Sequence, residues 1–68
     1  MPNEKSIEKP ECQLIGEDGN VFNLMAIAGR TLKRAGLREQ AKEMQDRILA
    51  CKSYDEALII MQDYVEIV

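Results

Sequence analysis

The 68-residue sequence contains no histidine and no tryptophan, and only three aromatic residues, two cysteines and two prolines. Without histidine, the commonest general base and the commonest transition-metal ligand are both missing. Ser6, Thr31 and Ser53 therefore have no imidazole to activate them. Cys12 and Cys51 are too few for the disulfide framework of a small secreted scaffold and do not form a CxxC pair, so both are expected as free, buried thiols. No apolar run approaches the ~20 residues of a membrane span, and the opening Met1-Pro2-Asn3-Glu4-Lys5 lacks the basic-then-apolar order of a signal peptide. A soluble, cytoplasmic chain is expected.

What is present fits one small domain. A chain of this length buries about 60% of the surface its unfolded form exposes, which allows one modest core and little material for a separate catalytic cleft. Residues 1–10 mix charge and proline around a lone Ile7 and are expected as a flexible tail, leaving 11–68 as the domain. Cys12 to Ile15 is a strand candidate that stops at Gly16-Glu17-Asp18-Gly19-Asn20, a composition suited to a tight turn. So short a strand needs a partner. The closing Val65-Glu66-Ile67-Val68 alternates apolar and acidic residues and can supply it.

Three helices are expected between these strands. Val21, Leu24, Met25, Ala28, Leu32 and Ala35 recur at helical spacing, with Asn20 as N-cap and Gly36 just past the end. Leu37, Ala41, Met44, Ile48 and Cys51 form the seam of a second helix over 38–51, where Glu43 and Arg47 stand in the i,i+4 order that favours an ion pair. Ser53-Tyr54-Asp55-Glu56 matches the capping box S-x-x-E and opens a third helix with Tyr54, Ala57, Leu58, Met61, Tyr64 and Val65 inward. Ile59 and Ile60 widen its apolar arc beyond what one face requires. The expected core is Leu14, Phe22, Leu24, Met25, Ala28, Leu32, Leu37, Ala41, Met44, Ile48, Cys51, Tyr54, Leu58, Met61 and Val65. Truncating a central member such as Leu58 to Ala is expected to cost about 2–5 kcal/mol.

Candidate chemistry is sparse. The Gly16–Asn20 loop fits neither G-x-G-x-x-G nor G-x-x-x-x-G-K-[ST], its carboxylates would repel an anion, and the calcium-loop spacing is not completed. It reads as a turn and a cap. Carboxylate neighbours such as Glu39/Glu43 and Asp55/Glu56 fall where helices display solvated charge, and Met25, Met44 and Met61 sit on core seams as gap-fillers. Charge distribution is more informative than the net −3, because a +4 segment over 30–42 lies between a −3 segment at 11–20 and a −4 segment at 53–68. The cations are Arg30, Lys33, Arg34, Arg38 and Lys42. Some of them complement the helix dipole, and together they could orient an acidic partner or meet phosphate.

The runs Leu14-Ile15-Gly16-Glu17-Asp18-Gly19-Asn20-Val21-Phe22, Arg30-Thr31-Leu32-Lys33-Arg34-Ala35-Gly36 and Ser53-Tyr54-Asp55-Glu56-Ala57-Leu58, with Tyr64-Val65-Glu66, carry a resemblance. In these runs the chain resembles a family of small bacterial proteins found in phages, plasmids and integrated mobile elements, to which no established activity attaches. The resemblance implies an accessory role in element biology and a closing strand at the C-terminus. It transfers no functional residues.

The expected fold is mainly α, an α+β arrangement in which a three-helix core carries a short N-terminal strand pairing with a short C-terminal strand. The expected function is that of a non-catalytic accessory protein, a small protein-interaction module that could also self-associate. Ile27, Ile59 and Ile60 would supply apolar contact, and Arg30, Lys33, Arg34 and Arg38 would supply orientation. No cofactor, metal, membrane or small-molecule substrate is expected. The alternative is a small nucleic-acid-binding accessory protein using the basic face of the first helix. Against it stand the mild acidity and a connection of only Gly36 and Leu37 after that helix, shorter than the usual turn of a helix-turn-helix.

Overall fold

The structure, a computed structural model, describes residues 9–68. The tail expected over 1–10 lies outside the described residues except for its last two, and those are engaged. Lys9 Nζ donates to the Gln62 carbonyl at 2.7 Å, and the Pro10 carbonyl accepts from the Glu66 amide at 2.9 Å. Contacts to the C-terminal part of the chain are thus already made by Lys9 and Pro10, just before β1.

The order is β1 (Glu11–Cys12), α1 (Val21–Arg34), α2 (Arg38–Ala50), α3 (Tyr54–Gln62) and β2 (Glu66–Ile67). The mainly α fold with terminal strands paired is the architecture expected. The strands run parallel, with Glu11 opposite Glu66 and Cys12 opposite Ile67. Parallel strands require a long crossover, and here all three helices serve as one. Backbone bonds extend the closure beyond the ladder: the amides of Leu14 and Ile15 both donate to the Val68 carbonyl, and the Val68 amide donates to the Cys12 carbonyl.

Local chemistry sets the helix boundaries. Asn20 Oδ1 accepts from the amides of Phe22 and Asn23, satisfying two donors that the first turn of α1 leaves open. The turn before it is knitted to this cap: Asp18 Oδ1 accepts from the Asn20 amide, and Asn23 Nδ2 donates to the Asp18 carbonyl. At the other end Gly36 takes φ +81° while the Leu37 amide donates to the Leu32 carbonyl and the Gly36 amide to the Lys33 carbonyl. This is a Schellman stop. It makes the connection Ala35–Gly36–Leu37 three residues long, so connection length no longer sets the α1–α2 pair apart from a helix-turn-helix.

The capping box at α3 is modified. Ser53 Oγ accepts from the Glu56 amide, but the Glu56 carboxylate accepts from the Lys52 amide and so covers the turn one residue earlier than the standard box. The Glu43–Arg47 pair does not form. Lys42 pairs with Asp46, and Arg47 reaches across to α3's exit, where Nη2 lies 3.2 Å from Asp63 Oδ2 and Nη1 donates to Tyr64 Oη at 3.0 Å. Arg47 thus makes two charge-assisted contacts there, to Asp63 and Tyr64, in place of one to Glu43.

Leu24, Ala28 and Leu32 of α1, Ala41, Met44 and Ile48 of α2, and Ala57, Ile60 and Met61 of α3 form the core, closed by Cys12, Leu14 and Val65. Phe22 and Tyr54 are exposed, contrary to expectation. At 100° per residue Phe22 points roughly 200° away from Leu24 and hence out of the stripe, and Tyr54 stands at the first position of α3. Ile60, expected at the surface, is buried, while Leu58 is half-buried; the inward arc of α3 is Ala57–Ile60–Met61. Met25, Leu37, Cys51 and Tyr64 pack half-buried against the core. Cys12 and Cys51 are both free, although only Cys12 is fully buried.

Two substitutions probe this packing. The penalty expected at Leu58 passes to fully buried Leu32: Leu32→Ala should lower the urea-measured stability by about 2–5 kcal/mol. Gly29 lies within α1, and a Cβ added there meets nothing within 4 Å. Gly29→Ala should therefore raise stability by about 0.5–1 kcal/mol, and a loss would show an unrecognised contact at that position.

Candidate interaction surface

Large apolar side chains left in water converge on one side of the molecule. Phe22 (61% exposed) opens α1, Leu49 (58%) lies off the Ala41–Met44–Ile48 seam of α2, and Tyr54 (46%) opens α3. Together with Val21, Ile48 and Ala57 they line an open depression of about 340 Å³. Tyr54 also lines a second depression of about 300 Å³ whose walls include Leu14, Ile15, Leu58 and Ile67, with Ile15 70% exposed. The two share Tyr54, so the tyrosine ring is a ridge between apolar hollows. A Cβ on Gly19 would lie 3.4 Å from Tyr54 Oη, which shows how closely the side chain rides over the Gly16–Asn20 turn.

Of the acidic residues, Glu17 alone is among those lining these hollows. Glu17 lines the second depression, Asp18 follows it, and Asp55 and Glu56 follow Tyr54 in the first turn of α3. Two cations stand at the edges of this face. Lys52 lines the first depression, and Lys9 is held on the carbonyl of Gln62, which lines the second.

The expected patch divides. Arg30 and Arg34 line a polar depression with Glu17, Asn23, Ile27 and Thr31, while Arg30 and Lys33 line another with Met25, Ala26, Gly29 and Gln45. Arg38 opens α2 directly after the turn that ends α1. These residues form a basic ridge. Ile27 is half-buried against the core, Ile60 is inside it, and Ile59 is exposed but lines neither depression of the ridge. Of the three expected isoleucines, Ile27 alone lines a depression of the ridge.

Among the described residues the ion pairs are Lys42–Asp46 and Arg47–Asp63, both surface-exposed. None of the ridge cations takes part, and neither do Glu17, Asp18, Asp55 or Glu56. Arg47 is tied elsewhere: its hydrogen bond to Tyr64 raises its pKa above the ordinary value, Asp63 adds to this, and its Cζ lies 5.5 Å from the Tyr64 ring centroid. Arg47 pins α2 to the segment entering β2 and is not available to a partner in this arrangement.

Among the described residues no group of three His, Cys, Asp or Glu side chains could hold a metal ion, and no helix is long and apolar enough to cross a membrane. Compared with known proteins, the chain matches no family model, no curated protein and no solved structure. Sequence reasoning passed over Ile15 and Leu49 and assigned Phe22 and Tyr54 to the core. The available signal was their phase: Phe22 stands two positions before Leu24 and Leu49 one position after Ile48, each off its helix's buried stripe.

Proposed function

We propose that the chain is a non-catalytic accessory protein, a protein-interaction module whose contact surface is the apolar face centred on Tyr54. One observation carries this reading: Ile15, Phe22, Leu49 and Tyr54, all substantially exposed, surround two hollows that meet at a single side chain. Leaving clustered apolar surface in water is unfavourable, and aromatic side chains set beside hollows are the usual anchors of protein interfaces. The basic ridge supplies long-range orientation. The setting implied by the sequence resemblance is the cytoplasm of a bacterium carrying a phage, plasmid or other mobile element.

A second reading has one specific observation behind it. Arg30, Lys33, Arg34 and Arg38 have no ion-pair partner among the described residues, so they are free to neutralise phosphates of a nucleic acid. The net charge of −3 opposes that reading.

Affinity capture from a bacterial host with the tagged chain separates the two. Capture is expected to recover a protein that is lost with Phe22→Ser/Leu49→Ser and retained with Arg30→Gln/Arg34→Gln, both variants keeping the wild-type circular dichroism and melting temperature. The reverse pattern, together with a salt-sensitive mobility shift of duplex DNA, would establish the second reading instead.

A further inference from the structure

We propose that the groove between α1 and α2 binds a small anionic amphiphile, a medium-chain carboxylate whose head meets Arg30 and Lys33 and whose apolar chain passes over Gly29 toward Met25. The proposal goes beyond the interaction reading and does not rest on it. The groove holds about 340 Å³ and shares no lining residue with either hollow beside Tyr54.

Gly29 carries the argument. It stands inside α1, where glycine weakens a helix relative to alanine, and its backbone lacks the positive φ that would call for glycine. A Cβ built there meets nothing within 4 Å, so packing within the chain does not exclude a side chain either. The fold gives no reason for the glycine. Its effect is to keep the groove open, with buried Ala41 and Met44 opposite on α2 and small Ala26 one turn away on α1. Glycine within a regular element suits close approach of another molecule to the backbone.

The lining is ordered along α1. From Met25 to Lys33 the helix rises about 12 Å, and over that length the groove passes from apolar at Met25 and Ala26, through bare backbone at Gly29, to cationic at Arg30 and Lys33. No carboxylate lines it, and among the described residues neither cation is in an ion pair. Arg30 also lines the depression that includes Glu17, whereas Lys33 lines this groove and not that one. An anionic head therefore meets two cations beside apolar ground, and an ammonium head meets like charge. None of the large exposed apolar side chains lines the groove, and its volume is that of a small-molecule pocket, not of a seat for a partner helix about 10–12 Å across.

Heteronuclear NMR titration of the isotope-labelled chain with octanoate, octylammonium and octanol, each below its micelle-forming concentration, tests the proposal. Octanoate should give saturable shifts at the amides of Ala26, Gly29, Arg30 and Ala41, bind at least about tenfold more tightly than octylammonium, and weaken as salt rises. Arg30→Gln/Lys33→Gln should weaken it several-fold. Gly29→Leu, which fills the groove, should abolish it, and Phe22→Ser/Leu49→Ser should leave it unchanged. Circular dichroism checks that each variant folds; should Gly29→Leu fail that check, the charge variant decides.

Absence of saturable octanoate binding would overturn the proposal, as would octylammonium or octanol binding as tightly. Binding indifferent to both groove variants would overturn it too. Shifts centred on Phe22, Leu49 and Tyr54 and lost with Phe22→Ser/Leu49→Ser would move the amphiphile to the other face and leave the α1–α2 groove without a ligand.

Discussion

The closure of the two chain ends on each other is the constraint on which the rest of the molecule depends. Three helices of 14, 13 and 9 residues are each too short to be stable alone in water, and they hold only because their inward faces share a core. That core is completed by Cys12, Leu14 and Val65, which reach it from segments with almost no secondary structure of their own. A strand of two residues is held by its neighbours: the Pro10, Cys12 and Val68 carbonyls accept from Glu66, Val68, Leu14 and Ile15. With the ends released, the apolar edge of α1 and the exit of α3 would face water. β1 and β2 run parallel, with α1, α2 and α3 all in the crossover between them.

Closure also determines which apolar side chains stay in water. β1 delivers Leu14 inward and Ile15 outward, the tight Gly16–Asn20 turn passes beneath Tyr54, and α1 then starts with Phe22 on the outside. The hollows beside Tyr54 are thus built from β1's continuation, the starts of α1 and α3, and the end of α2. The basic ridge runs along α1 and over the turn into α2, and Glu17 lines both an apolar hollow and the depression of Arg30 and Arg34. Among the described residues none of the ridge cations forms an ion pair, and Arg47, off the ridge, pairs with Asp63.

Features set by local chemistry were legible in the amino-acid sequence. Asn20 as a cap, Gly36 as a positive-φ stop and Ser53 as a cap depend on a few neighbouring residues, and each stands where its chemistry placed it. The pairing of the ends was legible through composition, although the observed ladder begins at Glu11 and draws in Pro10. Facing was less legible wherever two phases were compatible with a short helix. On α3, Tyr54–Leu58–Met61 and Ala57–Ile60–Met61 are both helical stripes, and only packing against α1 and α2 selects the second. The exposure of single apolar side chains was less legible for the same reason. Ile27, Ile59 and Ile60 look like surplus apolar residues in one dimension, but the fold buries one, half-buries another and leaves the third away from the basic ridge, while Phe22 and Tyr54 turn outward.

Native-state hydrogen exchange at the amides of Leu14, Glu66 and Val68 measures the closure directly, because their acceptors lie at the opposite end of the chain. If the ends complete the core, these three amides exchange only with global unfolding, at the same free energy as the slowest amides of α1. Exchange near the free-peptide rate while α1 remains protected would show a helical core that stands without its terminal strands.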